Sequence, residues 1–278
     1  MFKNEYIFYQ IVQKTGILII TVLAVLTISI AVSPLAIAAP NENARNPEIE
    51  TITFIDKFKP IHEMPDVNTS LSCEDTSNKF AKISGGIKWK AFPVPYSINA
   101  PYPAWADAVR AGFATWDAED HGFDPDDTEK RFFVEDGTAP KITVSWAPID
   151  GVGGTLGVAS FSYYPSLKEI ISVRIIFDSD DNWTTSSGVS CTEGATNTFD
   201  VGDVATHEIG HAIGFDHVKS PNSIYNTMYT YVILDGETHK KTLGDGERIG
   251  IESLYGTSID EPVDEGPDCS KSKSKKWC

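Results

Sequence analysis

The stretch His207-Glu208-Ile209-Gly210-His211-Ala212-Ile213-Gly214-Phe215-Asp216-His217 decides how the rest of this chain is read. It spells H-E-x-x-H-x-x-G-x-x-H. On a helix, residues four apart project from one face a turn apart, so His207 and His211 point the same way. That separation suits two imidazole nitrogens sharing a zinc ion at about 2.0–2.1 Å each. Gly214 can take the positive φ that ends a helix, turning the chain so that His217 arrives as a third ligand. Three protein ligands leave one position for water, the pattern of a reactive zinc rather than a structural one. Glu208 follows the first ligand and so reaches the rim of the site, where its carboxylate can take a proton from that water.

Around this stretch the chain reads as a globular unit from about Gly85 to Gly256. Asp200 is placed to N-cap a helix running to Phe215. Pro103 to Asp117 sets Trp105, Val109, Phe113 and Trp116 at helical spacing, with proline in the first turn. Val94 to Ile98, Lys141 to Trp146, Thr155 to Tyr164 and Ile170 to Phe177 carry strand signals, the last two bracketing a turn at Pro165-Ser166. Asp245 to Tyr255 is a closing helix with Ile249, Ile251 and Leu254 as an imperfect apolar face and Gly256 as its stop. Residues 39–84 are polar and proline-dotted, and read as a leader or pro-segment. Residues 257–278 form an acidic linker followed by a basic tail that carries cysteines.

The N-terminus concerns address. Lys3 and Lys14 precede an uncharged run from Thr15 to Ala39, broken by Ser33-Pro34 and followed by Ala36-Ile37-Ala38. This is the pattern of a secretory signal over residues 1–38, and the protein is expected to be secreted or held at the cell surface. The run is also long enough to span a bilayer, so membrane attachment follows only if it stays uncleaved. With export in view, Cys73, Cys191, Cys269 and Cys278 are expected in disulfides. Cys269 and Cys278 close a short loop, which leaves Cys73 for Cys191.

The chain has 278 residues, with 39 Asp plus Glu against 23 Lys plus Arg, a net charge of −16. Such a surface repels phosphate backbones and excludes a nucleic-acid binder. Apolar residues at 41% exclude a wholly disordered chain. His62, His121 and His239 stand in polar contexts and read as surface residues without a role.

The eleven-residue motif resembles that of the metzincin zinc endopeptidases, and further features resemble the matrixin branch. Met228-Tyr229 is similar to the Met-turn, in which a methionine floors the zinc site. Gly246 to Gly256 is similar to the closing helix of matrixin catalytic domains. Asp150-Gly-Val-Gly-Gly-Thr-Leu156 and Phe177-Asp-Ser-Asp-Asp-Asn-Trp183 resemble two segments that cradle a structural calcium. The resemblance implies an α+β fold, with a twisted mixed five-stranded sheet and three helices, the active-site helix lying beneath a cleft. It implies a monomeric endopeptidase acting on protein or peptide substrates, with one catalytic zinc on His207, His211 and His217. Glu208 would be the general base. A calcium would take carboxylates from Asp150, Asp178 and Asp181 and backbone oxygens from Gly151, Gly153 and Thr155.

Departures from the family pattern matter too. Val158 and Ile176 stand where matrixins carry histidines for a second, structural zinc, so none is expected. The cysteine-switch motif of matrixin propeptides is missing, and Cys73 lies in Leu-Ser-Cys-Glu-Asp. The stretch between His217 and Met228 is longer than usual, and Thr230 replaces the proline expected after Met-Tyr. A competing reading is a catalytically inactive zinc-binding homologue that serves as an extracellular binding module.

Overall fold

Alternating apolar residues in several runs become the strands of one mixed sheet in the computed structural model, which describes residues 47–64, 73, 76–118 and 131–256. In chain order the elements are β1 (Glu50–Phe58), β2 (Ala81–Lys82), β3 (Val94–Asn99), α1 (Pro103–Asp117), β4 (Phe133–Glu135), β5 (Ile142–Ala147), β6 (Thr155–Tyr164) and β7 (Glu169–Asp178). They continue with β8 (Asn182–Thr184), β9 (Thr198–Asp200), α2 (Val201–Ala212), β10 (Phe215–Asp216), β11 (Tyr231–Val232) and α3 (Asp245–Tyr255). The main sheet runs β11-β1-β6-β7-β5-β3-β4. β6 is antiparallel to both β1 and β7, and the other neighbours are parallel.

Burial alternates along these strands as the pleat requires. Ala159, Phe161 and Tyr163 of β6, Val173, Ile175 and Phe177 of β7, and Ile142 and Val144 of β5 all face the core. The opposite face is wet, and there Thr51 pairs with Ser162 and Thr53 with Ser160 through their hydroxyls. α1 packs on α2, and α2 lies against β6. Two indoles fix α2 in place. Trp116 donates its N–H to the Thr206 carbonyl and Trp89 to the Ala212 carbonyl, both at 2.8 Å. Each ring is almost wholly buried, so each link joins a large apolar area to a satisfied polar tip.

The helices and central strands lie close to where the sequence puts them, and the class is α+β as expected. The count of strands differs, with seven in the main sheet in place of five. Short β4 and β11 are edge pairings too brief for a periodic signal. β1 lies ahead of the Gly85 boundary that the texture suggests, and joins the sheet because Ile52, Phe54 and Phe58 alternate inward. In α3, Ile251 and Leu254 are buried but Ile249 is exposed, so the apolar face is narrower than expected. α2 ends at Ala212, three residues early, and Phe215-Asp216 pairs with β2 instead. Cys73 and Cys191 are disulfide-bonded. Cys269, Cys278, His121, the expected export signal over residues 1–38 and the tail lie outside the described residues.

His62 is exposed, as read from the sequence, but His239 is not the surface residue expected. It is 2% exposed, its ring edge-on to Tyr225 and Nδ1 3.8 Å from Glu237 Oε2. The polar residues around it in sequence, Glu237, Thr238 and Lys240, are buried as well, which is why local polarity misled. Burial lowers the His239 pKa to about 3, with nearby Lys240 adding to the effect.

Two predictions follow from these contacts. Trp116→Ala should cost about 3–5 kcal/mol in urea unfolding, through cavity and lost donor together, whereas a loss below about 1 kcal/mol would mean the ring does not hold α2. His239 binds its proton more readily unfolded than folded. Stability should therefore be intact above pH about 6.5 and fall by about 1.4 kcal/mol per unit as pH drops toward 3. His239→Gln should remove that increment of slope, and identical pH slopes for the two proteins would contradict the burial argument.

Candidate metal centre

The centre is built on α2. Asp200 caps the helix by accepting from the N–H groups of Gly202 (2.9 Å) and Asp203 (3.1 Å), which satisfies two of the donors that a helix start leaves free. All twelve helical residues are buried. Gly210 is needed for close approach, since a Cβ there would stand 2.2 Å from Met228 Sδ and 2.9 Å from Trp116. Met228, the methionine read as the Met-turn, is fully buried and packs under α2 at this point. Tyr229 is core, packed with Met64, Ile224 and Ile233. Gly214 has φ +107°, and a Cβ would meet the Ile87 carbonyl oxygen at 2.4 Å. Both facts restrict the position to glycine.

The reversal at Gly214 brings His217 back to the helix. The three Nε2 atoms lie 3.1–3.2 Å apart: His207 to His217 3.2 Å, and His211 to His207 and to His217 3.1 Å each. His207 Nδ1 lies 2.7 Å from the Thr227 carbonyl and His211 Nδ1 2.8 Å from the Phe215 carbonyl. A carbonyl accepts only, so each Nδ1 carries the hydrogen and Nε2 presents a lone pair. Facing lone pairs are not hydrogen bonds to one another. They are the donor set of a metal, and the spacing fits ligands about 2.0–2.1 Å from one zinc ion. Burial holds all three rings neutral, with the His217 pKa lowered to about 4 and those of His207 and His211 well below the usual value. Among the described residues, this is the only group of three or more His, Cys, Asp or Glu ligands gathered within 4.8 Å.

Two carboxylates share the pocket. Glu208 is fully buried and neither oxygen has a hydrogen-bond partner. It lies against Gly157 of β6, where a Cβ would be 2.4 Å from Oε1. Burial raises its pKa well above the usual range, and the negative charge of Asp56 adds to that. Asp56, from β1, is also fully buried, with Oδ1 4.0 Å from His207 Nε2. Neither Asp56 oxygen has a hydrogen-bond partner, and burial raises its pKa to about 6, an effect that the charge of Lys240 and the Lys57 N–H partly offset. Sequence reading missed both Asp56 and Gly157. The signal for the first was present: in Glu50-Thr-Ile-Thr-Phe-Ile-Asp-Lys-Phe58 the aspartate occupies an inward register position between Phe54 and Phe58.

A buried lysine braces the cleft wall. Lys240 Nζ donates to the Tyr229 (3.1 Å) and Tyr231 (2.9 Å) carbonyls, on either side of the turn into β11. The expected calcium segments do come together. Asp178 accepts from the N–H groups of Ile149, Asp150, Gly151 and Asp180, Asp181 from that of Gly153, and Asp150 from the N–H and hydroxyl of Thr155. The loop is thus closed largely by its own donors. Asp181 Oδ2 is buried without a partner, and burial, with Asp178, Asp150 and Asp180 close by, raises the Asp181 pKa to about 6. Val158 faces Ile176 across the β6–β7 pair, two side chains with no ligand atom.

Comparison with known proteins agrees with this geometry. Residues 89–256 match the family model for matrixin. The chain is 35% identical to matrix metalloproteinase-25 of Homo sapiens over 46% of its own length and 22% of that protein. It is 34% identical to matrix metalloproteinase-15 of Homo sapiens over 42% of the chain and 15% of that protein. Against matrix metalloproteinase-16 of Rattus norvegicus it is 29% identical over 71% and 32%. It therefore spans less than a third of the length of each of these relatives. The family match covers more than half of the chain and contains all three convergent imidazoles, and the chain belongs to the matrixin family of zinc metalloendopeptidases.

Proposed function

We propose that this protein is an exported zinc endopeptidase in which Glu208 is the general base. The observation that carries this reading is the Glu208 carboxylate. It is buried, unpartnered and one residue from the first imidazole of the triad. Leaving such a group in a dry interior costs about 1–3 kcal/mol or more, a cost that a purely structural helix has no reason to bear. A carboxylate kept free of hydrogen bonds is available to take and return a proton.

When bound, zinc would supply a Lewis acid that acidifies a coordinated water and polarises a carbonyl. His207, His211 and His217 would hold the ion, the first two oriented by the Thr227 and Phe215 carbonyls. Glu208 would accept the proton of the attacking water and hand it to the departing amine nitrogen. β1 pairs along one edge of β6; with β1 displaced, that edge would offer backbone groups to an extended peptide, recognised by strand addition. The β1-like place opposite β6 suits any sequence that can lie extended, and the wall at β11 would shape the pocket beside it. Export over residues 1–38 is part of the same proposal, supported by the charged start, apolar run and small residues there. A calcium on the Asp150–Asp181 loop is supported by the unpartnered Asp181 oxygen and the like charges around it.

Zinc-loaded secreted protein should release peptides from casein after limited trypsin digestion, and a chelator should abolish this. Glu208→Gln should lower kcat/KM by about 10²–10⁴-fold while keeping its zinc; equal activity in the two proteins would defeat the proposal. Gly214→Ala should weaken zinc binding by about tenfold or more in a chelator competition, because His217 would lose its approach, and an unchanged affinity would show that the reversal does not position the third ligand.

A further inference from the structure

The outer face of the main sheet carries a groove that the metal centre does not use. The core and α2 lie on the other face. Side chains that alternate outward from β1, β6, β7 and β5 meet one another across the strands. Thr51 stands opposite Ser162, and Ser162 opposite Ser172. In the next row Thr53 faces Ser160, Ser160 faces Arg174, and Arg174 faces Thr143. Both rows contribute to a groove of about 320 Å³, as do Pro140 and Lys141 just before β5.

The chemistry of the lining is one-sided. It holds five hydroxyls, one guanidinium and one ammonium, and no carboxylate, in a chain whose net charge is −16. Arg174 and Lys141 are both exposed, and neither forms an ion pair with an Asp or Glu among the described residues. The Lys141 ammonium lies 5.8 Å from the centre of the Trp89 ring. The hydroxyls of Thr51 and Ser162 are 3.1 Å apart, and a hydroxyl with one donor and two lone pairs keeps capacity for a ligand beyond such a pair. Backbone groups are not on offer, because β5, β6 and β7 are each paired along both edges. A peptide therefore cannot add here as a strand. Apolar lining that might seat its side chains is confined to Pro140 and the buried Val173. A nucleic acid, with a charge on every phosphate, would be repelled by the acidic chain around two isolated cations.

We infer that this groove binds an acidic oligosaccharide, with the carboxylate or sulfate group of the sugar on Arg174 and Lys141 and its hydroxyls on the serine and threonine rows. A guanidinium presents parallel N–H donors that match a planar carboxylate fork to fork. Sugar hydroxyls donate and accept in turn, as do those of Thr143, Ser160 and Ser172 that face them. β6 takes part in both sites from opposite faces, since its inward Gly157 meets Glu208 while its outward serines line the groove. A sugar chain bound there leaves the metal centre free. The inference stands apart from the zinc-peptidase reading, because no metal-binding histidine lines the groove.

Titration calorimetry on the full chain tests this at low salt, where exposed charges are least screened. The probes are a galacturonate hexamer, a chondroitin sulfate hexasaccharide, a neutral glucose hexamer and hexaglutamate. At least one acidic hexasaccharide should bind, the tighter of the two naming the anionic group, and the neutral hexamer should bind at least about tenfold more weakly. Arg174→Ala should weaken the acidic sugar about tenfold or more, with part of the loss recovered in Arg174→Lys. Thr143→Val, which removes a hydroxyl and little volume, should weaken it about threefold. These variants should keep the zinc content and casein cleavage of wild type, and Glu208→Gln should bind the sugar as wild type does. Hexaglutamate binding as tightly as the acidic sugars would overturn the inference. So would a wild type that binds neither acidic hexasaccharide, or an affinity unchanged in both Arg174→Ala and Lys141→Ala. Sugar binding without any casein cleavage would sink the peptidase reading alone and leave this site standing.

Discussion

Three imidazole nitrogens with their lone pairs turned toward one point, 3.1–3.2 Å apart, two on buried rings and one on a half-buried ring, are the constraint on which the rest of this structure depends. Without a cation such an arrangement only repels and leaves buried acceptors unsatisfied. Keeping it requires a framework that holds the rings in place, and several features supply it. Trp116 and Trp89 pin α2 through its carbonyls. Gly210 lets Met228 pack directly beneath the helix, and Gly214 lets the chain fold back within reach of Ile87. The carbonyls of Thr227 and Phe215 then fix two of the rings.

Around that point the buried charges form a system. Asp56 and Glu208 bring two carboxylates to the metal pocket, while Lys240 sits fully buried with its ammonium on the carbonyls flanking the cleft wall. Asp203 accepts from the Lys240 backbone N–H at 2.7 Å, which ties the start of α2 to the same wall. Glu237 accepts from the N–H groups of Ile233 and Leu234 just past β11. Buried ions of this kind seldom add net stability. What they do here is hold the metal-bearing helix and the cleft wall in one register.

Much of this was legible in the sequence, for reasons that can be named. The zinc motif, the Asp200 cap and the Gly214 stop are local signals, each a residue type at a fixed offset. The alternation in β5, β6 and β7 and the helical spacing in α1 are likewise short-range. The parts that escaped are those in which distant segments meet. Glu50–Phe58 reads as a leader because its inward positions include Asp56, and a carboxylate in a strand interior makes sense only once the triad is opposite it. Gly157 looks like any strand glycine until Glu208 is found against it. His239 stands among polar neighbours, and nothing local shows that all of them are buried together.

The central claim is that this chain holds one zinc ion through His207, His211 and His217. Zinc K-edge X-ray absorption on the purified full-length protein tests it most directly. The account predicts a four-coordinate site of nitrogen and oxygen ligands at about 2.0–2.2 Å, with the outer-shell scattering of imidazole rings. A sulfur shell at about 2.3 Å, or a protein that takes up no zinc at all, would contradict it.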